Sequence, residues 1–482
     1  MNDRAARLRA AFDGIGQGHV FSLWPRLGPR ERVALLDDLD ALRTDEIQAA
    51  WASVAAQGGE APLLSQNDLP PIRPVPRIPP PNQEAAYQSA RRCAEKLLRR
   101  GAVAALTVAG GQGSRLGFDG PKGAFPIGPI SGSCLFRLFA ESLLRSELRC
   151  GKAIPWYVMT SNATHDRTVA LFADHAYFGL DPSLVTLFRQ GAMPAFSSEG
   201  RILLADRHRL AMAPDGHGGV LQALARSGAL ERMREDGTEH VSYFQVDNPL
   251  VRCIDPLFLG LHAQAGAEVS VKVIPKASDR EGLGNLCLRQ GRLTCIEYSD
   301  FPNELAAARN PDGTRRYDAG GISIYAFSTT FLRRMATLDG GLPWHRAVKK
   351  VPQVDPATGD FVGSPQGIKL ERFLFDVLPL AIKTLVLETT RSEEFSPVKN
   401  AVGVDSAGSC RQALVRRACA WLSAAGVHVP WRADGEPDAV VEVSPLYADS
   451  PEDLAARTDL PARIQPGERL LLGGPSSIGF LR

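Results

Sequence analysis

The 482-residue sequence lacks the features that would place it in a membrane or among secreted proteins. No apolar run reaches the roughly 18 residues that span a bilayer. Its first residues, Met1-Asn2-Asp3-Arg4, lead into a charged amphipathic stretch and not into the apolar core of a secretion signal. Charge is nearly balanced, with 55 basic and 53 acidic side chains and a net charge of +2. This balance predicts neither a nucleic-acid partner nor a membrane partner.

Paired cysteines are also missing. Eight cysteines are scattered along the chain, and no two of them form a CxxC pair. This spacing is not that of a zinc site or a disulfide framework, and it is typical of reduced thiols. We therefore expect a cytoplasmic protein, and we expect it to be a monomer or a weak homo-oligomer.

What the sequence does contain is an ordinary globular composition, 44% hydrophobic and 22% charged. At about 150 residues per domain, the length suggests roughly two to four domains. We predict a helical region with a proline-rich strap over residues 1–85, a catalytic domain over 86–400 and a small C-terminal domain over 401–482. Helical spacing is clearest in Arg30–Leu42, and the strap has seven prolines between Pro70 and Pro81.

Short apolar runs alternate with helical stretches from residue 102 to about residue 400. The runs are Ala102–Val108, Ile154–Thr160, Val241–Val246, Val269–Ile274, Ile322–Phe327 and Leu385–Glu388. This alternation predicts an α/β fold with a mostly parallel, Rossmann-like sheet. After residue 401, a helical pattern over Arg411–Ala425 and short runs at Val440–Val443 and Arg469–Leu472 predict a small α+β domain.

The most informative stretch is Val108-Ala109-Gly110-Gly111-Gln112-Gly113-Ser114-Arg115-Leu116-Gly117, continued by Pro121-Lys122-Gly123. It follows a buried strand and precedes an amphipathic helix. Glycines let backbone N–H groups approach an anion, and Arg115 and Lys122 add positive charge. The stretch therefore predicts a site for several phosphates at the carboxyl end of a strand. The plainer alternative is a surface loop that carries two solvated cations.

Two common phosphate motifs are excluded by the spacing of this loop. A Walker A loop requires Gly-Lys-Ser/Thr after four variable residues, whereas Lys122 follows Pro121. The dinucleotide fingerprint requires a third glycine where Leu116 stands, and Gly117 comes one residue late.

Further stretches carry polar groups at candidate ligand-binding positions. Gln190 lies in Gln-Gly-Ala-Met-Pro-Ala, Gly216 and His217 lie in Pro-Asp-Gly-His-Gly-Gly, and Asp247 ends a strand in Val-Asp-Asn-Pro. An amide offers a donor and an acceptor to a base, and a carboxylate suits Mg²⁺ bound together with phosphates. Lys369 and Lys399 lie in segments rich in Phe and Pro. Taken singly, these residues are a surface glutamine, a turn, a turn-capping aspartate and solvated lysines.

Together these motifs resemble the UDP-sugar pyrophosphorylases, specifically the UDP-N-acetylhexosamine branch, from about Ala11 to the C-terminus. The resemblance implies a GT-A-like nucleotidyltransferase sheet and transfer of uridylyl from UTP to a sugar 1-phosphate, with Mg²⁺ or Mn²⁺. It implies catalytic roles for Arg115, Lys122, Lys369 and Lys399, and metal binding by Asp247. It further implies UTP binding by Ala109, Gly110, Gly111, Gln190 and Gly216, and sugar binding by His217, Glu297 and Gly321.

Three positions depart from the family pattern: His217, Asp318 and Gly321 stand where the family has asparagine. A site that loses polar reading groups discriminates less between substrates. We rank N-acetylglucosamine 1-phosphate first but expect weaker selectivity for the N-acetyl group than the resemblance alone implies. The alternatives are a UDP-glucose or broad-specificity pyrophosphorylase, a nucleotide-sugar-dependent glycosyltransferase and a non-catalytic nucleotide sensor.

Overall fold

The computed structural model describes residues 3–55, 65 and 67–473. The chain divides into two compact units. The first unit comprises Met1–Leu63, Gln190–Ala223 and Met335–Val377, and the second comprises Leu64–Arg189, Leu224–Arg334 and Leu378–Arg482. The predicted division at residues 85 and 400 stays a prediction.

The α-helices of the described residues begin and end as follows: α1 Asp3–Gly14, α2 Pro29–Asp40, α3 Thr44–Ala55, α4 Glu84–Arg99, α5 Leu135–Cys150, α6 His165–Asp174, α7 Val220–Arg226, α8 Ala229–Glu235, α9 Pro256–Gln264, α10 Asn303–Ala306, α11 Thr329–Ala336, α12 Arg391–Glu394, α13 Ala407–Ala424 and α14 Pro451–Ala455. The strands are β1 Val103–Val108, β2 Trp156–Thr160, β3 Val185–Arg189, β4 Ala192–Pro194, β5 Leu204–Asp206, β6 Arg209–Leu210, β7 Met212–Pro214, β8 His240–Gln245, β9 Val269–Pro275, β10 Gly284–Arg289, β11 Arg292–Ile296, β12 Ala319–Ser328, β13 Trp344–Lys350, β14 Gln366–Arg372, β15 Thr384–Glu388, β16 Val440–Val443 and β17 Arg469–Leu472.

A nine-stranded sheet forms the centre of the second unit. Strand β1 pairs in parallel with β2 and β8, β2 pairs in parallel with β3, and β9 pairs in parallel with β15. Strand β12 is antiparallel to both β8 and β9, and the β10–β11 hairpin joins its first residues. Helices cover the sheet, so its strands are buried apolar runs. The predicted α/β fold with a mostly parallel sheet is confirmed.

One edge of this sheet gathers the ends of the strands that carry candidate residues. Val108 at the end of β1 pairs with Gln245 at the end of β8. Because β12 runs antiparallel to β8, its first residues, including Gly321, lie towards the same edge. Loops leaving this edge are therefore placed where open α/β sheets bind their ligands.

The proline-rich strap is extended, as predicted, and it pairs with the sheet. The Val75 N–H donates to the Val386 carbonyl at 2.8 Å, and the Glu388 N–H donates back to the Val75 carbonyl at 2.8 Å. The strap thereby adds one parallel bridge beside β15. It also brings Arg77 next to Asp255, described below.

The first unit packs the N-terminal helices on short strands. Phe12 of α1 and Leu39 of α2 share a buried core with Phe196 and with Leu370 of β14. Strands β13 and β14 form an antiparallel hairpin, with Ala347 opposite Lys369. The predicted N-terminal helices are confirmed as α1 to α3, while positions 1–2, 56–64 and 66 of the predicted region lie outside the described residues.

The predicted C-terminal elements are confirmed. Helix α13 begins a few residues earlier than expected because the Ser406 side chain caps it, accepting from the Ser409 N–H at 3.2 Å. Strands β16 and β17 have the predicted bounds and pair in parallel.

Candidate active site

The glycine-rich loop after β1 folds back on itself through backbone hydrogen bonds. The Gly113 N–H donates to the Gly120 carbonyl at 2.8 Å, and the Lys122 N–H donates to the Gly111 carbonyl at 2.9 Å. Several other N–H groups of the loop have no acceptor among the described residues, including those of Gly111, Gln112 and Ser114. A run of unpaired N–H groups is a ready anion site.

The two cations predicted for this loop occupy different settings. Arg115 is exposed and forms no ion pair with a described residue. Lys122 is largely buried, and its Nζ lies 3.9 Å from Asp247 Oδ2. The structure therefore brings Lys122 and Asp247 together, beside Gly111, which packs near the Lys122 side chain.

Asp247 is in turn joined to the segment that carries Lys399. The Val398 N–H donates to the Asp247 carbonyl at 2.7 Å. The buried Asn248 side chain donates to the Glu394 carbonyl at 2.7 Å and accepts from the Ser396 N–H at 3.1 Å. These bonds fix the backbone before Lys399 against the end of β8.

Asp405 is a neighbour of Lys399 that sequence reasoning missed. Its carbonyl accepts the Lys399 N–H at 2.6 Å, and its carboxylate lies 3.9 Å from Lys399 Nζ. Burial raises the pKa of Asp405, and the negative charge of Asp247 raises it further. The positive charge of Lys399 partly opposes this rise. We call Lys122, Asp247, Lys399 and Asp405 the loop cluster. The close turn in sequence, Lys-Asn-Ala-Val-Gly-Val-Asp, was the available signal.

A largely buried ion network supports this segment. Lys272 Nζ lies 2.6 Å from Asp255 Oδ2 and 2.5 Å from Glu394 Oε2. Arg77 Nη1 lies 2.8 Å from the same Asp255 oxygen and 3.2 Å from Glu394 Oε1. Two cations thus neutralise two carboxylates, and Glu394 belongs to the segment that leads to Lys399.

In the first unit, Gln190 and Gly216 are adjacent. Gln190 Nε2 donates to the Gly216 carbonyl at 2.7 Å. Gly216 has φ of +83°, and a Cβ there would lie 2.4 Å from the Arg372 carbonyl oxygen, so the turn requires glycine. The Arg372 N–H donates to the Asp215 carbonyl at 2.8 Å, which holds this loop on the end of β14.

His217 lies in a cluster of rings. Its ring centroid is 5.6 Å from that of Phe373 and 6.2 Å from that of Phe375. Burial, together with a smaller contribution from the nearby His345, lowers the pKa of His217 to about 4. Its Nδ1 accepts the Leu374 N–H at 3.1 Å. A neutral ring with Nδ1 as acceptor carries its proton on Nε2, so His217 offers a donor.

His345 and Asp376 form a pair beside His217 that the sequence reasoning also missed. His345 Nε2 lies 2.7 Å from Asp376 Oδ2.

Lys369 lies two residues before Glu371 in β14, so the two side chains share one face of the strand. The Glu371 Cβ lies 3.1 Å from the position that a Cβ on Gly216 would take. Lys369 and Gly216 therefore use neighbouring parts of one surface.

The sugar candidates of the second unit lie on neighbouring strands. Gly321 pairs with Gly284, and Asn285 pairs with Ile296, the residue before Glu297. A Cβ on Gly321 would lie 2.8 Å from Leu286 Cδ1, so Leu286 occupies space that an asparagine at 321 would need.

The described residues hold no group of three His, Cys, Asp or Glu side chains that could bind a metal ion by themselves. Asp247 nevertheless fits Mg²⁺, which is commonly held by one or two carboxylates together with substrate phosphates. Its carboxylate lies 3.9 Å from Lys122 Nζ, and its side chain is 14% exposed. Among the helices of the described residues, none is both long enough and apolar enough to cross a membrane.

A glycine-rich loop with unpaired N–H groups at the carboxyl edge of a mostly parallel sheet is typical of a nucleotide-binding α/β protein. The family profile for UTP–glucose-1-phosphate uridylyltransferase matches residues 71–409, which is more than half of the chain. The chain belongs to that family.

Relatives within the family are similar over nearly their full length. A human UDP-N-acetylhexosamine pyrophosphorylase-like protein 1 is 38% identical over 479 residues, covering 93% of both chains. UDP-N-acetylglucosamine diphosphorylase 2 of Arabidopsis thaliana is 37% identical, covering 92% of this chain and 89% of its own. A crystal structure of a putative UDP-N-acetylglucosamine pyrophosphorylase from Entamoeba histolytica has a TM-score of 0.74 and 31% identity, covering 84% of this chain and 100% of its own.

Proposed function

We propose that this protein transfers uridylyl from UTP to a sugar 1-phosphate, releasing pyrophosphate, and that its preferred sugar is N-acetylglucosamine 1-phosphate. The observation that carries the proposal is the loop cluster, in which Lys122, Asp247 and the Lys399 segment converge beside unpaired loop amides. The names of the relatives support the sugar, since several are called UDP-N-acetylhexosamine or UDP-N-acetylglucosamine pyrophosphorylases or diphosphorylases.

The reaction is an in-line displacement at phosphorus. A phosphate oxygen of the sugar 1-phosphate forms a bond to the α-phosphorus of UTP, and the bond from that phosphorus to the α,β-bridging oxygen breaks. Pyrophosphate leaves with the bonding electron pair. Such a step needs positioning and charge neutralisation more than covalent help. No nucleophilic side chain has a role in it.

The positively charged side chains bind the phosphate groups of the two substrates. Arg115 holds the leaving β- and γ-phosphates, and Lys122 steadies the α-phosphate. Lys399 and Lys369 bind the phosphate of the incoming sugar 1-phosphate. Asp405 keeps the Lys399 ammonium near this place, since its carboxylate lies 3.9 Å from Lys399 Nζ.

The base and the sugar are read by uncharged groups and one carboxylate. Gln190 reads the uracil edge, with one N–H already committed to Gly216. The backbone of Ala109, Gly110 and Gly111 lies along the nucleotide. Toward the sugar we place His217, as an N–H donor, together with Glu297 and Gly321.

Asp247 would hold Mg²⁺ or Mn²⁺ together with the nucleotide phosphates. When bound, the ion supplies positive charge against the charge that develops on the phosphates. The remaining work falls to the chain's own cations. A cytoplasmic location and a monomeric or weakly associated state belong to the same proposal.

A pyrophosphate-release assay with UTP and a panel of sugar 1-phosphates tests the proposal. We expect release that depends on the sugar 1-phosphate and is fastest with N-acetylglucosamine 1-phosphate. A UDP-glucose or broad-specificity enzyme would release pyrophosphate equally well with glucose 1-phosphate. A glycosyltransferase or a nucleotide sensor would release none.

A further inference from the structure

Helix α13 is bonded to the backbone that leads to Lys399. Cys410, Arg417 and Trp421 are spaced by seven and by four residues, which places them on one face of this helix. Burial raises the pKa of the Cys410 thiol to about 12, so the sulfur keeps its proton. The thiol donates to the Ser396 carbonyl, with 3.0 Å between sulfur and oxygen. This contact lies only three residues before Lys399.

Arg417 joins two stretches of backbone through a single nitrogen. Its Nη1 donates to the Leu250 carbonyl at 2.7 Å and to the Glu393 carbonyl at 2.9 Å. Leu250 lies three residues after Asp247, and Glu393 belongs to α12, in the segment that leads to Lys399. Burial lowers the pKa of Arg417 to about 10, which leaves the guanidinium charged at neutral pH. None of the roles above uses this cation.

The Glu393 side chain is held by two further donors of the same region. Its carboxylate accepts from Trp421 Nε1 at 3.0 and 3.1 Å and lies 3.1 Å from Arg252 Nη2. The guanidinium carbon of Arg417 lies 5.0 Å from the centre of the Trp421 ring, within the range of a cation–π contact. We call Arg252, Glu393, Arg417 and Trp421 the α13 clamp.

We propose that the α13 clamp positions Lys399 for the incoming sugar 1-phosphate, with Arg417 as its principal positioning residue. The inference rests on the proposed function. The bonds that Val398 makes to Asp247, and those that Asn248 makes to the Lys399 segment, join the two stretches near the site. The clamp continues this set of bonds away from the site. Without Arg417 two carbonyls lose their charged donor, and the Lys399 segment is held less precisely, which weakens sugar phosphate binding and slows transfer.

Steady-state kinetics of the full-length protein with UTP and N-acetylglucosamine 1-phosphate test the inference. We expect Arg417→Met to lower kcat at least about tenfold and to raise KM for the sugar 1-phosphate at least about threefold. Kd for UTP, measured by calorimetric titration, should stay within about twofold, because the glycine-rich loop binds UTP. Arg417→Lys should recover most of the loss, since both carbonyl bonds come from one nitrogen and an ammonium has three donors.

Arg145 provides a matched control. It lies on α5 and is bonded to Asp453 of α14 at 2.7 and 2.5 Å, so it ties the C-terminal elements to α5 at a different place. Arg145→Met should leave kcat and both KM values within about twofold of the parent. Trp421→Phe is a milder change within the clamp. It removes the N–H bond to Glu393 and keeps a ring, so we expect kcat to fall about threefold.

Unchanged kinetics in Arg417→Met would overturn the inference. A lower kcat with an unchanged KM for the sugar 1-phosphate would also overturn it, because that is the effect of a smaller folded fraction. The same losses in Arg145→Met would overturn it as a general loosening of the C-terminal elements. If Arg417→Met does not fold, Trp421→Phe decides, and a kcat equal to that of the parent overturns the inference. A parent protein that releases no pyrophosphate would instead overturn the proposed function.

Discussion

Replacing the buried Lys272 with methionine should destabilise the second unit more than any surface change. The side chain is fully buried and lies 2.6 Å from Asp255 and 2.5 Å from Glu394. Methionine fills similar space but leaves the two buried carboxylates with Arg77 as their remaining ion-pair partner among the described residues. Removing one partner of a buried pair typically costs about 3–5 kcal/mol, and we expect that loss here at pH 7.

The loss should shrink in acid. Burial raises the pKa of both carboxylates, but Arg77 and Lys272 outweigh it and hold the pKa of Asp255 and of Glu394 below their usual values. A depressed folded-state pKa gives stability that is present above the unfolded pKa of about 4 and is lost as pH falls through the folded value. In the variant these carboxylates can take up protons at higher pH, which relieves their unpaired charge. The two stability curves should therefore approach each other towards pH 4.

Urea denaturation monitored by tryptophan fluorescence from pH 4 to pH 8 measures both effects. Lys383→Met is the control, because Lys383 is exposed and belongs to the same unit. We expect the control to follow the parent. A free energy of unfolding for Lys272→Met within about 1 kcal/mol of that of the parent at pH 7 would refute the reasoning. A difference in the free energy of unfolding that does not change with pH would refute it as well.

The remaining predictions concern catalysis. Lys399→Ala should lower turnover roughly ten- to a thousandfold while UTP binding survives, and Lys383→Ala should not; turnover within about twofold of the parent would remove Lys399 from the site. Arg115→Ala should weaken UTP more than UMP in calorimetric titrations, because only UTP carries the leaving phosphates, and equal weakening would contradict this. Asp247→Asn should raise the Mg²⁺ concentration that half-maximal activity requires, whereas full activity of the parent in excess chelator would exclude the ion. Selectivity for N-acetylglucosamine over glucose 1-phosphate should be weak, and a kcat/KM ratio above about a thousand, or roughly 4 kcal/mol, would show that residues other than positions 217, 318 and 321 carry it.

Local patterns predicted the sheet well because buried parallel strands are continuous apolar runs. The run Val241–Val246 became β8, His240–Gln245, a shift of one residue, and Val440–Val443 became β16 with the same bounds. The first unit was not predictable in this way. Its three chain segments share one core, and only long-range packing joins them.

The loop and its cations were predictable because glycine spacing and charge are local signals. Lys272 was not, since a lysine within Val-Ser-Val-Lys-Val-Ile-Pro predicts a solvent-facing position, and its partners Asp255 and Glu394 are distant in sequence. Asp405 was missed for the same reason. It becomes informative only when the fold brings it to Lys399.

Phosphorus NMR of one reaction mixture tests the central claim most directly. The protein is incubated with UTP, N-acetylglucosamine 1-phosphate and Mg²⁺, and the spectrum is followed with time. We expect the UTP and sugar phosphate signals to fall together while UDP-N-acetylglucosamine and pyrophosphate rise in equal amounts. Appearance of UDP and inorganic phosphate, with the sugar 1-phosphate unchanged, would contradict uridylyl transfer.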